Sequence, residues 1–217
     1  MHPMGIWIMF NREKWEEITS HLEKGEYEIA LKKAEENLKN FPTDLIAYLL
    51  LLQAQHRVGD FKACENTYLA SQKKLFMYNG VNQTPLVLEY CEAMLDLQGT
   101  IPTYIQQAWR SAQDCLDNVM RSNPPERSYV ICIRAFEAAL ALNEPLFGGN
   151  EAELIKDYIN SGLSWHPKSS VLLELKQKYN QQSETTPFTD NLLTRQAIGE
   201  VLLPLIRGLV NKNNGIY

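Results

Sequence analysis

The residues of this chain that could ligate a metal or act as nucleophiles are few and widely spread. Cys64, Cys91, Cys115 and Cys132 stand 27, 24 and 17 residues apart with no CxxC pair and no histidine beside them. His2, His21, His56 and His166 have no metal-ligand spacing either. The cysteines fit buried reduced thiols. An even count also admits two disulfides, but a chain with 45% hydrophobic residues can build a core without them. Gly148-Gly149 is not followed by Lys-Ser or Lys-Thr, so it does not form a nucleotide-phosphate loop. Glu151 and Glu153, just after Asn150, read as first-turn acids of a capped helix, where the positive end of the helix dipole favours them. His56 and Arg57 read as cations of a last helical turn, with contact to an acidic ligand as the alternative. No nucleophile and base, metal set or phosphate cradle converges. The expectation is a protein that is not an enzyme and has no cofactor or metal.

The charge balance narrows the partners. With 21 Lys and Arg against 26 Asp and Glu, the formal charge is -5 and the basic residues are scattered among acids. Broad nucleic-acid binding needs clustered positive charge, so it is not expected. Residues 1–10 contain the apolar run Ile6-Trp7-Ile8-Met9-Phe10 without a basic stretch before it or a small-residue cleavage site after it, and do not read as a signal peptide. They are expected to pack on the first helical unit. No run reaches the roughly 18 uncharged apolar residues that a spanning helix needs. The default location is cytoplasmic.

The elements that position these residues are helices in pairs. Trp15, Ile18 and Leu22 recur three and four apart, which places them on one helical face of residues 11–24. After Gly25 a second helix runs to about residue 40 with Ile29, Ala30, Ala34 and Leu38 on its face, and Phe41-Pro42 ends it. A second pair covers residues 45–58 and 61–75 around Gly59-Asp60. Its first helix has no polar residue from Tyr48 to Leu52, as expected of a helix covered on more than one side. Pro85 opens a third pair, closed near Asn123-Pro124, with a second helix over about residues 103–121. A fourth covers residues 127–142 and 150–165, and a further helix contains Val171, Leu172, Leu175 and Tyr179. Residues 180–191 are polar and read as a linker. Residues 192–217 begin with an apolar helical tail, kinked at Pro204.

Gly25-Glu26-Tyr27 and Gly59-Asp60-Phe61 lie 34 residues apart, each between two helices. In this period and turn the chain resembles the tetratricopeptide repeat family. The aromatic after the turn is Tyr27, Phe61 and Trp109. The small residue three later is Ala30, Cys64 and Ala112. The closing proline is Pro42, Pro124 and Pro167, with Phe76 in the second unit. Ile18, Leu52 and Glu92 depart from the pattern, standing where the family has a small residue. The resemblance covers residues 11–179 and implies an all-α, right-handed superhelical solenoid of about four degenerate repeats with a capping helix. It implies that the first helices line a groove for a peptide segment or helix of a protein partner. By position the groove residues are Arg12, Trp15, Thr19, Leu22, Leu49, Gln53, His56, Arg57, Glu89, Ala93 and Asp96. Trp15 is either an anchor there or, the favoured reading, packs on the N-terminal apolar run. Trp15, Thr19, Leu49 and Gln53 replace the groups with which some members grip a terminal carboxylate, so that ligand is not expected.

The implied function is an adaptor, scaffold or chaperone that acts by protein binding. The alternative is a regulatory or structural subunit of a larger assembly, held through the C-terminal tail and the convex surface. For the tail, docking on its own chain is favoured over partner binding or self-association. Membrane contact is the weakest reading, because Arg195 and Arg207 are its only basic residues before Lys212.

Overall fold

The computed structural model describes residues 4–75, 82–117 and 123–185, with side chains from residue 12 to 180 within those stretches. Among the described residues the chain is all-helical, without a strand. Helices α1 (Met4–Glu23) and α2 (Tyr27–Asn40) form one hairpin, and α3 (Leu45–Val58) and α4 (Phe61–Leu75) the next. Two more follow, α5 (Thr84–Gln98) with α6 (Pro102–Asp117), and α7 (Glu126–Leu142) with α8 (Glu151–Trp165). Helix α9 spans Ser170–Thr185. No described helix is long and apolar enough to cross a membrane.

The turns explain the 34-residue spacing. Gly25 and Gly59 have φ of +77° and +88°, a left-handed conformation in which a Cβ would be strained. At Gly59 the backbone N–H donates to the Gln55 and His56 carbonyls at 3.0 Å and closes the end of α3. Asp60 then accepts the Ala63 N–H at 2.9 Å, starting α4. Asp44 does the same for α3 through the Ile46 N–H.

The chain divides into two compact units, residues 1–172 and 173–217. In the first, each helix from α1 to α8 packs on the next, and α1, α3, α5 and α7 also adjoin one another in order. Helix α3 touches α1, α2, α4 and α5, which is why Ala47, Tyr48, Leu50, Leu51, Leu52 and Ala54 are buried around much of its circumference. By contrast α6 buries one stripe, Ile105, Ala108, Ala112 and Cys115. Ala30, Cys64 and Ala112, the small residues after the turns, are fully buried, and their size lets paired helices approach closely. Gly162 serves the same end. A Cβ there would lie 2.9 Å from Leu172 Cδ1 and 3.1 Å from Tyr129 Cγ.

The α7–α8 turn is held by its own contacts. Phe147 makes edge-on ring contacts with Trp109 and Phe136, at centroid distances of 5.2 and 4.9 Å. The buried Glu151 carboxylate accepts the Phe147 N–H at 2.9 Å, so this acid ties down the turn as well as facing the helix dipole.

The second unit is described only as the remainder of α9. Its helix runs on to Thr185, through the first six residues that composition assigns to a linker; their polar side chains do not prevent helix. The N-terminal run is helical from Met4, so α1 starts earlier than its amphipathic pattern suggests. Its packing, the rest of the linker and the apolar tail from residue 192 fall outside the described side chains.

Candidate functional site

The face formed by α1, α3, α5 and α7 contains the residues that sequence position assigns to a groove, and it divides into two parts. In the first, Trp15 and Leu22 of α1 pack with Ile18 against Leu50, Leu51 and Ala54 of α3, in a cluster shared with Ala30 and Ala34 of α2. Arg12 and Thr19 are exposed on α1, Arg12 pairing with Glu16 at 2.8 Å. A depression of about 420 Å³ runs along this helix past Arg12, Trp15, Glu16 and Thr19. Leu49 is half-buried and Arg57 exposed.

The second part is ionic. His56, near the end of α3, places Nδ1 2.9 Å from Glu89 Oε1 and Nε2 2.9 Å from Asp96 Oδ2, both within hydrogen-bonding distance. Gln53, one turn earlier, reaches Glu89 Oε2 at 3.4 Å. On the other side of α5, Arg127 donates to Glu89 at 2.5 Å and to both oxygens of Glu92 at 2.6 and 2.7 Å, while Arg134 pairs with Asp96. The His56 and Glu89 side chains are only 6% and 5% exposed, whereas Asp96 is 41% exposed. Ala93, fully buried on α5, provides no polar group.

The two arginines, Arg127 and Arg134, and the His56 ring thus meet three carboxylates, those of Glu89, Glu92 and Asp96. Burial alone would raise the Glu89 carboxyl, but hydrogen bonds and charge from His56 and Arg127 outweigh it and hold its pKa down to about 2. Burial would lower His56, and Glu89 with Asp96 reverses that to a net rise. Burial would also lower Arg127, but Glu92 and Glu89 together raise it. His56 lies in the last turn of α3, as helix-dipole placement expects, and its ring also meets two carboxylates. Its partners lie 33 and 40 residues away, on the next first helix.

Of the sequence-assigned residues, the fold brings Gln53, His56, Glu89 and Asp96 together. It leaves Arg12, Thr19 and Arg57 on the surface. Sequence reasoning did not select Arg127 and Arg134, although a signal exists. Glu89 and Asp96 are seven residues apart, Arg127 and Arg134 are seven apart, and each acid–base pair is separated by 38 residues. Two turns of one helix therefore match two turns of the next.

Among the described residues no group of three or more His, Cys, Asp or Glu could hold a metal ion. The four cysteines are free and buried. Burial pushes the Cys64 thiol up to about 12 and raises Cys91, Cys115 and Cys132 as well, so the thiolate needed for nucleophilic attack is disfavoured in each. No protein-family model matches the chain, and neither a curated protein nor a solved structure matches it.

Proposed function

We propose that the chain is a non-enzymatic protein-interaction module, a tetratricopeptide-like right-handed solenoid that holds a segment of a partner protein along the face of α1, α3, α5 and α7. The observation that carries this reading is the recurrence itself. Hairpins closed by left-handed glycines 34 residues apart have first helices that adjoin in sequence order. Such an arrangement presents one continuous side of several helices to a ligand. The α1–α3 part, with Trp15, Thr19 and Leu49, is the better docking region, because the charges of the α3–α5–α7 part are already matched within the chain. What supports a cytoplasmic setting is the set of four unbridged cysteines.

His56 is a poor probe of this surface, since its loss would strip Glu89 of a buried partner. Exposed positions are better. A photo-crosslinking side chain placed at Thr19 or Arg57 is expected to capture the same partner, while one at Lys32, exposed on α2, captures none. Equal capture at all three positions, or capture at Lys32 alone, would count against the assigned face.

A further inference from the structure

His56 differs from the other buried polar groups in that both ring nitrogens face carboxylates. A neutral imidazole has one donor and one acceptor nitrogen. If neutral, it would set a lone pair against a carboxylate oxygen at 2.9 Å on one side. Only the imidazolium satisfies Glu89 and Asp96 together. Its proton also completes the charge balance of the cluster, and without it one negative charge is left over beside a carboxylate that is 5% exposed.

The groups that face this histidine are few. From α5 they are Glu89 and Asp96, held in turn by Arg127 and Arg134 of α7. From α4 the Cys64 thiol lies within electrostatic range of Glu89 and is uncharged at neutral pH. The leading charges at His56 are those of Glu89 and Asp96, both on α5. The α1–α3 contact beside it is apolar, built on Ile18, Leu50, Leu51 and Ala54.

We propose that His56 is a proton-operated latch between the second and third hairpins: protonated, it clasps α3 to α5, and on losing its proton it releases Asp96 and loosens that junction alone. The latch operates whether or not the face binds a partner. Because the folded-state pKa of His56 lies above 6.5, the latch contributes fully below pH 6.5 and is lost as pH rises through the folded value.

The test is a nuclear magnetic resonance titration of the His56 ring in the full chain between about pH 5 and 10, paired with amide hydrogen exchange across α3 and α5. The expected midpoint lies above 6.5. Protection at the ends of α3 and α5 should fall, over the same pH range, by about tenfold for each unit of that excess. The α1–α2 hairpin should show no such step, and His56→Gln should abolish it. A midpoint at or below 6.5, or an equal loss of protection in His56→Gln, overturns the proposal. If His56→Gln does not fold, Asp96→Asn takes its place. Removing that half-exposed carboxylate must lower the midpoint, and an unchanged midpoint overturns the latch equally.

Discussion

The α1–α3 and α3–α5–α7 junctions join helices in the same order with opposite chemistry. The first is closed by Trp15, Ile18 and Leu22 against Leu50, Leu51 and Ala54. The second is closed by His56, Arg127 and Arg134 around Glu89, Glu92 and Asp96. Apolar contact is non-directional and tolerates changes of shape at graded cost. A buried ionic cluster fixes register through direction and distance, and it fails sharply when one member is removed. Helix α3 has one junction of each kind. One part of the face is therefore indifferent to protons, while the other depends on them.

Substitutions on the two sides should separate these behaviours. The largest effect is expected from Glu89→Ala, which leaves Arg127 and His56 without their buried partner and should cost about 3–5 kcal/mol in urea unfolding. Ile18→Ala on the apolar side opens a cavity and should cost about 2–5 kcal/mol, with a pH profile parallel to that of the parent protein. If Ile18→Ala altered the pH profile and Glu89→Ala did not, the contrast between the junctions would be lost.

Acid titration sharpens the same comparison. The Glu89 pKa is depressed from 4.5 to about 2, so its contribution is complete above pH 4.5 and disappears as pH falls toward 2. That difference corresponds to about 3 kcal/mol. The parent protein should lose this much more stability than Glu89→Gln between pH 5 and 2, as read from denaturant midpoints. Equal losses would mean that the carboxylate is not held by its cations.

Smaller effects are expected where only the hairpin framework is touched. Gly162→Ala pushes a methyl toward Tyr129 and Leu172 and should cost about 1–3 kcal/mol in either pH regime. Gly59→Ala, at φ +88°, should cost about 1–2 kcal/mol through backbone strain. Arg12→Ala should change stability by no more than about 0.5 kcal/mol, since its i,i+4 pair is 75% and 64% exposed. Thermal or denaturant unfolding reads all three.

Much of the helical framework could be read from local patterns. The glycines at 25 and 59 mark turns because only a residue without a Cβ enters that conformation freely, and α3 and α4 coincide with residues 45–58 and 61–75. Helix α6 is described as far as Asp117, and the expected extension to about residue 121 lies outside the described residues. Helix α9 continues past residue 180, because polar composition alone does not end a helix. Four of the candidate face residues, Gln53, His56, Glu89 and Asp96, converge as a cluster. Arg127 and Arg134, which complete it, were not evident because a basic residue on a helix is ordinarily solvated.

By itself the sequence determined the all-helical class, the paired helices and the turns that join them. Each depends on interactions within a few residues: a glycine at positive φ, a capping Asp, an apolar stripe at helical spacing. Only the tertiary structure decided which polar side chains leave water. Helical spacing assigns His56 to a face of α3, but its charge depends on Glu89 and Asp96, brought across from α5 by packing that spans 33 and 40 residues. Local rules are blind to that separation, and the electrostatics of a buried ion are set by what packing places beside it.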